Sequence, residues 1–474
     1  MYPDIYPDYV DVTIPNSIAP LNFGMNEDAY DRIDVEIKGK NGTSLHSNGN
    51  YADFDEDNWH KLLAQNIGGD LRVTVIARQN GKWTRFRPFH IYVSEDSLNE
   101  WGVTYRRIAP SYIVYSEMGL YQRELSSFNE MALINNTQVP GACLNCHTSN
   151  ATNPDQYLFH VRGGHGATVI QRDGSLELLK ARNDSLGGSM VYPCWHPNGR
   201  YIAFSTNSTA QMFHTRSAKR IEVYDSSSDV FVYDTETHTI LNDSLLMRED
   251  WAENTPAFSG DGKWLYFTTA PRQKFPKDYD RECYSICRVA FDVEKATFVR
   301  DVDTLIHAIL PLSEPELVSD SSQFTTRSVT WPRPSYNGRF LMYTQVNHGY
   351  FSVWHPESDI WLMDLKTGEC RAINEINSER AESQHKWSTN SRWFLFTSRR
   401  DDGLYTRIYF AHIDENGNVS KPFLLPQKNP KLYYSQSLYS FNTPDFASKP
   451  IDPDPQKMGK KIEDAYRVDT KVLK

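Results

Sequence analysis

The fold is decided by the stretch Pro193-Cys-Trp-His-Pro-Asn-Gly199-Arg-Tyr-Ile-Ala-Phe204, because the same pattern recurs further along the chain. The copies are Pro256-Ala-Phe-Ser-Gly-Asp-Gly262-Lys-Trp-Leu-Tyr-Phe267, Pro332-Arg-Pro-Ser-Tyr-Asn-Gly338-Arg-Phe-Leu-Met-Tyr343 and, in degenerate form, His385-Lys-Trp-Ser-Thr-Asn-Ser391-Arg-Trp-Phe-Leu-Phe396. Each copy contains the end of a strand, a turn and a strand that alternates apolar and polar residues; the turn is on Asn-Gly or Asp-Gly in three copies and on Asn-Ser in the degenerate one. Such turns tolerate positive φ, as in a primed hairpin turn. The pattern therefore predicts repeated antiparallel hairpins.

Further strand-like runs, Asp229–Asp234 and Asp359–Leu365, lie between the copies, and a polar turn follows each of them. Four strands per repeat are typical of a propeller blade, which cannot bury its own faces and therefore occurs in series. The copies are roughly 50 to 75 residues apart, against ~40 to 45 in a compact blade, so long loops must project from the blades. We predict an all-β fold, a β-propeller of five to seven blades with six favoured.

The repeat divides the chain into three predicted segments. Residues 1–108 lack the repeat and form a small β-rich domain of the immunoglobulin-like sandwich type. Its predicted elements are the strands Asp31–Ile37 and Leu71–Ala77 and the short helix Asp57–Ala64. Residues 109–447 form the propeller, and residues 448–474, rich in Lys, Asp and Pro, form a loosely held C-terminal extension.

The two ends of the propeller segment have strand character. One is the region Tyr112–Ile134, with runs at Tyr112–Tyr115 and Gly119–Leu125, and the other is Leu438–Phe441. A propeller must close, and pairing a strand from one terminus into the blade made by the other removes the open edges. We therefore expect these two regions to meet.

Two long insertions are predicted at 207–220 and 271–282, and loops on a rigid scaffold are where binding usually occurs. The first contains His214 and Arg216 and is followed by the acidic Glu222. A loop binding site is one interpretation of these residues. A solvated loop with ordinary polar side chains is the other, and it is favoured.

Composition restricts the partners. The net charge of −10 argues against a nucleic acid, whose phosphates need Lys and Arg for neutralisation. No run of 18 or more apolar residues occurs, so no transmembrane segment is expected. The opening Met1-Tyr-Pro-Asp does not read as a signal peptide, but a trimmed export signal would give the same start, so localisation stays open on this ground.

The repeat resembles the WD40-like repeat of TolB-type propellers. The run Tyr9–Phe23, the segment Cys143-Leu-Asn-Cys146-His147 and the phrase Phe159-His-Val-Arg-Gly-Gly-His165-Gly are further similar to a Bacteroidetes family of exported TolB-like proteins, often labelled cytochrome c biosynthesis proteins. The resemblance covers almost the whole chain. It implies a periplasmic or outer-membrane location, a lipid anchor lost from this sequence, and an envelope protein as partner.

The segment Cys143-Leu-Asn-Cys146-His147 is the sharpest local motif. In this pattern two thiols add to the haem vinyl groups and the adjacent imidazole becomes an axial ligand of the iron, which predicts covalent haem c. A local disulfide, free thiols or a metal site are the alternatives. The motif also falls where a propeller repeat is expected, so it could be a stapled loop in a degenerate copy.

A bound haem would need a sixth ligand as well as His147. His165 is the favoured candidate, because flanking glycines would let the backbone approach the macrocycle, and His160 ranks below it; the resemblance includes both. Met118 and Met131 are weaker candidates, because Met in a strand is more often core filler. For each His separately, an ordinary hydrogen-bonded or surface imidazole remains the more common situation.

The other cysteines carry less information. Cys283 and Cys287 have a spacing that places them on one face of a strand, where a disulfide is strained but possible. Cys194 and Cys370 are expected to be small buried residues.

Three functions remain. The first, which is favoured, is a non-enzymatic exported propeller carrying haem c and acting in redox chemistry, electron transfer or envelope assembly. The second is a haem-free scaffold that binds a protein or a glycan. The third is a glycoside-active propeller with paired carboxylates near its axis. No Gly-x-Ser-x-Gly motif occurs, and Ser259-Gly-Asp-Gly262 fits the repeat turn better than a sialidase Asp-box.

Overall fold

The computed structural model describes residues 1–109, 117–180, 182–183, 186, 188–214, 219–310, 326–452, 454–464 and 466–472. The predicted strand Tyr112–Tyr115 and the candidate Arg216 lie outside these residues. Among the described helices, none combines the length and apolarity of a bilayer span.

The N-terminal unit is built on one mixed sheet with the order β2-β8-β6-β4-β5, to which β7 adds through β6; β1 and β3 pair separately. Its elements are β1 Ile5–Tyr6, β2 Thr13–Ile14, β3 Gly24–Met25, β4 Tyr30–Lys38, β5 Ser44–Gly49, α1 Glu56–Ala64, β6 Gly69–Gln79, β7 Lys82–Arg85 and β8 Phe89–Val93. Helix α1 starts where the Asp55 side chain accepts a hydrogen bond from the Asn58 amide, and it buries Trp59 in the core of the unit. The predicted strands and helix of this segment are confirmed, each within a few residues.

The described residues of the rest of the chain form six blades around one axis. Blade 1 contains β9 Gly102–Ile108, β10 Gly119–Glu124, β11 Glu130–Asn135 and β33 Ser440–Ala447; blade 2 contains β12 Cys143–Asn150, β13 Asn153–Arg162, β14 Ala167–Arg172 and β15 Ser175–Leu179; blade 3 contains β16 Arg182–Asn183, β17 Gly188–Trp195, β18 Tyr201–Phe213, β19 Ile221–Asp234, β20 Thr239–Leu241 and β34 Lys471–Val472. Blade 4 contains β21 Trp251–Phe258, β22 Trp264–Pro271, β23 Ser285–Asp292 and β24 Thr297–Ile306; blade 5 contains β25 Ser328–Pro334, β26 Phe340–Val346, β27 Asp359–Asp364 and β28 Cys370–Ala372; blade 6 contains β29 Glu382–Trp387, β30 Trp393–Ser398, β31 Arg407–His412 and β32 Phe423–Leu424. The prediction of an all-β propeller is confirmed.

The inner strands β33, β12, β17, β21, β25 and β29 contact one another in a closed ring. The ring closes at blade 1, whose inner strand β33 comes from near the C-terminus and pairs antiparallel with β9. The two predicted regions therefore share one sheet. Their contact is indirect, because β33 pairs with β9 and the Gly119–Glu124 strand is the next one out.

Two predicted boundaries need correction. Strand β9 belongs to blade 1, so the propeller begins inside the segment 1–108 rather than at residue 109. The extension 448–474 is also held more firmly than expected, because α3 Pro455–Asp464 buries Ile462 against blades 1 and 2, and β34 adds to blade 3. The remaining helix, α2 Pro430–Gln436, precedes β33.

A β-bulge interrupts the inner strand of every blade. At each bulge one residue other than Gly adopts positive φ; these residues are Cys146, Tyr192, Thr255, Trp331, Gln384 and Thr443. Proline follows in four blades, where the missing N–H leaves no donor unpaired, and His147 and His385 take that place in the other two. The Cys143–His147 segment is therefore the inner-strand bulge of blade 2.

The turns that follow the inner strands differ from the predicted primed turns. Gly199, Gly262 and Gly338 have positive φ, whereas Asn198, Asp261 and Asn337 before them do not. This is the geometry of a type I turn followed by a left-handed glycine. The turn at Ser259 is of this kind, with the Gly262 amide donating to the Ser259 carbonyl at 2.9 Å, which supports the repeat-turn interpretation over an Asp-box.

Removing the closing strand should abolish the fold. A chain that ends at Gln436 lacks β33, so β9 loses one of its two backbone partners and blade 6 loses one of its two neighbours in the ring. We expect no cooperative thermal transition by circular dichroism and strong binding of a hydrophobic dye.

A chain that ends at Asp452 is the matched control. It keeps β33 but loses α3 and β34, and it should still melt cooperatively at a lower temperature. Equal melting behaviour of the two shortened chains would contradict the role given to β33.

Candidate functional site

Three hairpin ends converge on one face of the propeller. They are the connections between the second and third strands of blades 3, 4 and 5, described at 214 and 219–220, at 272–284 and at 347–358. We call this side the B–C face. In blade 3 the hairpin extends well beyond the inner strand, because β18 and β19 remain paired from Thr209 to Phe213 and contact the inner strand of blade 4. The predicted loop at 207–220 is thus largely a β-hairpin.

A cluster of titratable side chains lies where these connections meet. Glu222 is 4% exposed at the start of β19, and its Oε2 lies 3.0 Å from His355 Nε2. Its Oε1 lies 3.4 Å from Lys219 Nζ, 3.6 Å from His348 Nε2 and 3.9 Å from His214 Nε2. Four cationic or imidazole groups therefore surround one buried carboxylate, and we call these five residues the Glu222 cluster.

Glu357 and Tyr279 border the cluster. Glu357 Oε1 lies 3.5 Å from both His355 Nδ1 and Lys219 Nζ, so it is the second carboxylate of the network. The Tyr279 ring packs edge-on to His348, with centroids 5.6 Å apart. Tyr279 and His214 are only partly buried, so the cluster is accessible to solvent from the B–C face.

The electrostatics of the cluster favour charged groups despite burial. Burial by itself would raise the pKa of Glu222, but hydrogen bonds from His348 and His355 and the Lys219 charge hold it well below the usual range. Burial opposes protonation of His355, but its contacts with Glu222 and Glu357 raise its pKa above the usual 6.5. The same contact with His355 outweighs burial and lowers the pKa of Glu357 to about 2.

The Glu222, His348 and His355 ligand atoms all lie within 4.8 Å of one another. Two imidazoles and one carboxylate form a donor set that divalent transition metals use, and a tetrahedral site with bonds of about 2.1 Å separates its ligand atoms by roughly 3.4 Å. Glu222 Oε2 lies 3.0 Å from His355 Nε2 and Glu222 Oε1 lies 3.6 Å from His348 Nε2, so each imidazole is near that spacing from one oxygen of the carboxylate. The arrangement fits a cation of this class.

A second group of acids lies buried beneath the hairpin. Asp225 accepts hydrogen bonds from Thr209 Oγ1 at 2.7 Å and from the Asn207 and Asn254 amides. Burial raises the pKa of Asp225 and, together with the charge of Asp225, holds that of Glu282 well above its ordinary value. Both are about 1% exposed, so these inward-facing acids lack the access that a glycoside-active pair requires.

The predicted haem segment lies elsewhere. Cys143 and His147 are buried in strand β12, and the space beside His147, at the interface with blade 1, has a volume of about 20 Å³. Neither ring nitrogen of His147 makes a hydrogen bond of good geometry within the described residues, and burial lowers its pKa to about 4. A neutral imidazole suits ligation, but cofactor sites need roughly 300 Å³ or more. The residues do not fit a haem in this conformation.

The two proposed sixth ligands lie apart from His147. His160 faces the blade 3 side of the blade 2 sheet, where its Nδ1 lies 2.8 Å from Thr168 Oγ1 and its ring is 5.9 Å from Phe204. Burial and the nearby Arg162 lower its pKa to about 3. A cavity of about 500 Å³ lies beside His160, and no cysteine lines it. His165 is partly exposed in the connection between β13 and β14.

The methionine and cysteine candidates differ in burial. Met118 is buried and Met131 is 54% exposed. All six cysteines are free thiols, including Cys283 and Cys287. Burial raises the pKa of Cys283 to about 12. Cys370 is exposed and Cys194 is only partly buried, so the prediction that both are buried was wrong for Cys370.

The sequence pointed to two of the five residues of the Glu222 cluster, His214 and Glu222 around the blade 3 insertion. It gave no sign of Lys219, nor of His348, His355 and the bordering Glu357. These last three lie on the 347–358 connection of blade 5, which lies outside the recurring sequence pattern. The signal available was the pair of histidines between two predicted strands.

Comparisons with known proteins concern the fold alone. No family model and no curated protein matches the chain. In structure it is similar to the β-propeller domain of the Trilobed protease from Pyrococcus furiosus, with a TM-score of 0.34, 9% identity and coverage of 74% of this chain and 80% of that one. For an oligogalacturonate lyase in complex with manganese the TM-score is 0.33 and the identity 13%, and the match covers 68% of this chain and 85% of that one. For a puromycin-hydrolyzing peptidase from Mycobacterium tuberculosis the TM-score is 0.36 and the identity 12%. The match covers 76% of this chain and 52% of that one, so it spans about half of that peptidase.

The buried pair of His355 and Glu222 should make the stability of the protein depend on pH. Because the pKa of His355 is raised, its contribution to the free energy of unfolding is complete below pH 6.5. That contribution is lost as the pH rises through the raised pKa. The Glu222 contribution is present above its usual pKa of 4.5 and is lost in acid. Replacing His355→Gln should therefore destabilise the protein most near pH 5.5, by about 3 kcal/mol, and least near pH 9. Urea denaturation in the presence of a chelator measures this difference.

The matched control is His46→Gln, which removes an exposed His–Asp pair of 2.9 Å in the N-terminal unit. Exposed pairs contribute little, so this variant should unfold like the parent at every pH. A His355→Gln effect that is the same at pH 5.5 and pH 9 would contradict the assigned ionisation.

Proposed function

We propose that this propeller presents a divalent transition-metal centre on its B–C face and acts there as a metal-dependent enzyme. The observation that carries the proposal is the placement of Glu222, His348 and His355, from two different blades, with their ligand atoms within 4.8 Å. The β-propeller itself is the scaffold that brings these distant parts of the chain together.

Glu222, His348 and His355 would hold the metal, and the partly exposed His214 could complete the set from the solvent side. A metal of this class would supply Lewis acidity to an oxygen of the substrate. Glu222 supplies negative charge, and its Oε1 would become available to the metal once the Lys219 ammonium, 3.4 Å away, is displaced. Glu357 orients His355 through Nδ1, as the outer carboxylate does for many metal-bound histidines.

Lys219 has a distinct place in this arrangement. Its ammonium lies 3.4 Å from Glu222 Oε1 and 3.5 Å from His348 Nε2, so it provides a positive charge in the metal-free protein. Because like charges repel, the ammonium opposes metal binding. Once displaced toward solvent, it could donate a proton to a substrate at the B–C face.

Metal titration tests the centre. After treatment with a chelator, isothermal titration with Zn²⁺, Mn²⁺ or Co²⁺ should show one saturable site, and Co²⁺ should give visible d–d absorption. Mg²⁺ should not bind, because it prefers oxygen ligands. Glu222→Gln should weaken binding by about 100-fold or more, while Lys219→Met should strengthen it.

The affinity should also rise with pH. His355 must lose its proton to ligate, and its raised pKa places that loss above pH 6.5. The exposed-site variant His46→Gln serves as the control and should leave the titration unchanged. Absence of saturable binding, or equal affinity in Glu222→Gln and the parent, would refute the metal centre.

Haem c at Cys143 and Cys146, with export to the cell envelope and a redox or assembly role there, remains a prediction from the sequence and is the second candidate. The motif favours it, and the small volume beside His147 disfavours it. The visible spectrum of protein exported in a host with cytochrome c maturation tests it. A Soret band that survives denaturation and disappears in Cys143→Ala/Cys146→Ala would establish haem.

A further inference from the structure

The opposite end of the propeller axis holds a separate cavity. It has a volume of about 80 Å³ and is lined by residues from all six blades. Each inner strand contributes the residue that lies two positions after its positive-φ residue; these six are Thr148, Cys194, Ala257, Arg333, Lys386 and Asp445. We call them the axial ring.

The axial ring is closed off toward the middle of the molecule. The Tyr192 side chain of blade 3 meets Trp331 of blade 5 across the axis, with ring centroids 5.0 Å apart, and Tyr350 packs edge-on to Tyr192. The cavity therefore lies on the side of the turns that follow the inner strands, where Ser259 and Tyr336 line it. It is distinct from the Glu222 cluster on the B–C face.

Charge in the axial ring does not balance. Lys386 Nζ lies 3.4 Å from Asp445 Oδ2, and the same carboxylate oxygen accepts a hydrogen bond from Thr148 Oγ1 at 2.9 Å. Arg333 forms no ion pair with a carboxylate of the described chain. Its Nη1 donates to the Pro332 carbonyl, and its guanidinium lies 5.5 Å from the Trp331 ring centroid. One cation is left over in a protein whose net charge is −10.

We propose that the axial ring binds a small monocarboxylate, or the carboxylate end of a larger ligand, with Arg333 as its principal partner. A single negative charge balances the excess cation, whereas a dianion would leave the ring negative. The planar guanidinium matches a carboxylate with two parallel N–H donors, and Lys386 and Thr148 provide further donors on the same ring. The volume of about 80 Å³ suits a group of the size of acetate.

Acetate is the probe for this site. Saturation-transfer NMR and tryptophan fluorescence at fixed ionic strength should show saturable binding with a dissociation constant of about 1 mM, because so small a ligand offers few contacts. Arg333→Met should weaken binding at least about tenfold. Arg333→Lys keeps the positive charge but loses the two parallel N–H donors of the guanidinium, so its affinity for acetate should lie between those of the parent and Arg333→Met.

Arg288→Met is the matched control. Arg288 also lies over a tryptophan, 4.3 Å from the Trp264 ring centroid, but it is on an outer strand of blade 4, so acetate binding should be unchanged. Cooperative melting checks that each variant folds. Lack of saturable acetate binding, equal binding in Arg333→Met and the parent, or tighter binding of phosphate or chloride than of acetate would each overturn the proposal.

Discussion

The ring of inner strands is the constraint on which both candidate sites depend. Six strands contact one another around the axis, and one of them, β33, is supplied by the far end of the chain. Its pairing with β9 removes two open sheet edges at once, and open edges expose unpaired backbone groups. Closure also brings Asp445 beside Thr148 and Lys386, so an axial group of blade 1 meets those of blades 2 and 6 only when the ring is complete.

The bulge that recurs in every inner strand determines which side chains line the axis. An inner strand without a bulge would alternate its side chains regularly between the two faces of the blade. The extra residue shifts the register in every blade, so that the residue two positions later reaches the axis. Tyr192 and Trp331 then fill the middle of the channel, which separates two ends of different character. One end carries an excess cation, and the other carries a carboxylate surrounded by imidazoles.

Burial explains why the Glu222 cluster is more than a surface ion pair. Removing a carboxylate from water is costly unless it is paired, and Glu222 is 4% exposed. The charges of Lys219 and a protonated His355 offset those of Glu222 and Glu357, so the metal-free network is close to neutral. A network of this kind can exchange one cation for another. Loss of a proton from His355 and displacement of the Lys219 ammonium would provide room for a divalent ion without leaving a buried charge uncompensated.

The sequence by itself determined the parts of the fold that repeat. The recurring proline, turn glycine and alternating strand encode local hairpin geometry, so the blades, the α1 helix and most strand positions were predictable from residues close together in the chain. For the Cys143–His147 segment the sequence favoured haem c and left a loop in a degenerate repeat as an alternative, and β12 places the segment in a blade. Contacts between distant residues were different. Glu222 and His355 are 133 positions apart, and Thr148 and Asp445 are 297 apart, so no local spacing could indicate either pair. Tertiary structure decided them, because blade order and ring closure set which connections meet at each end of the axis.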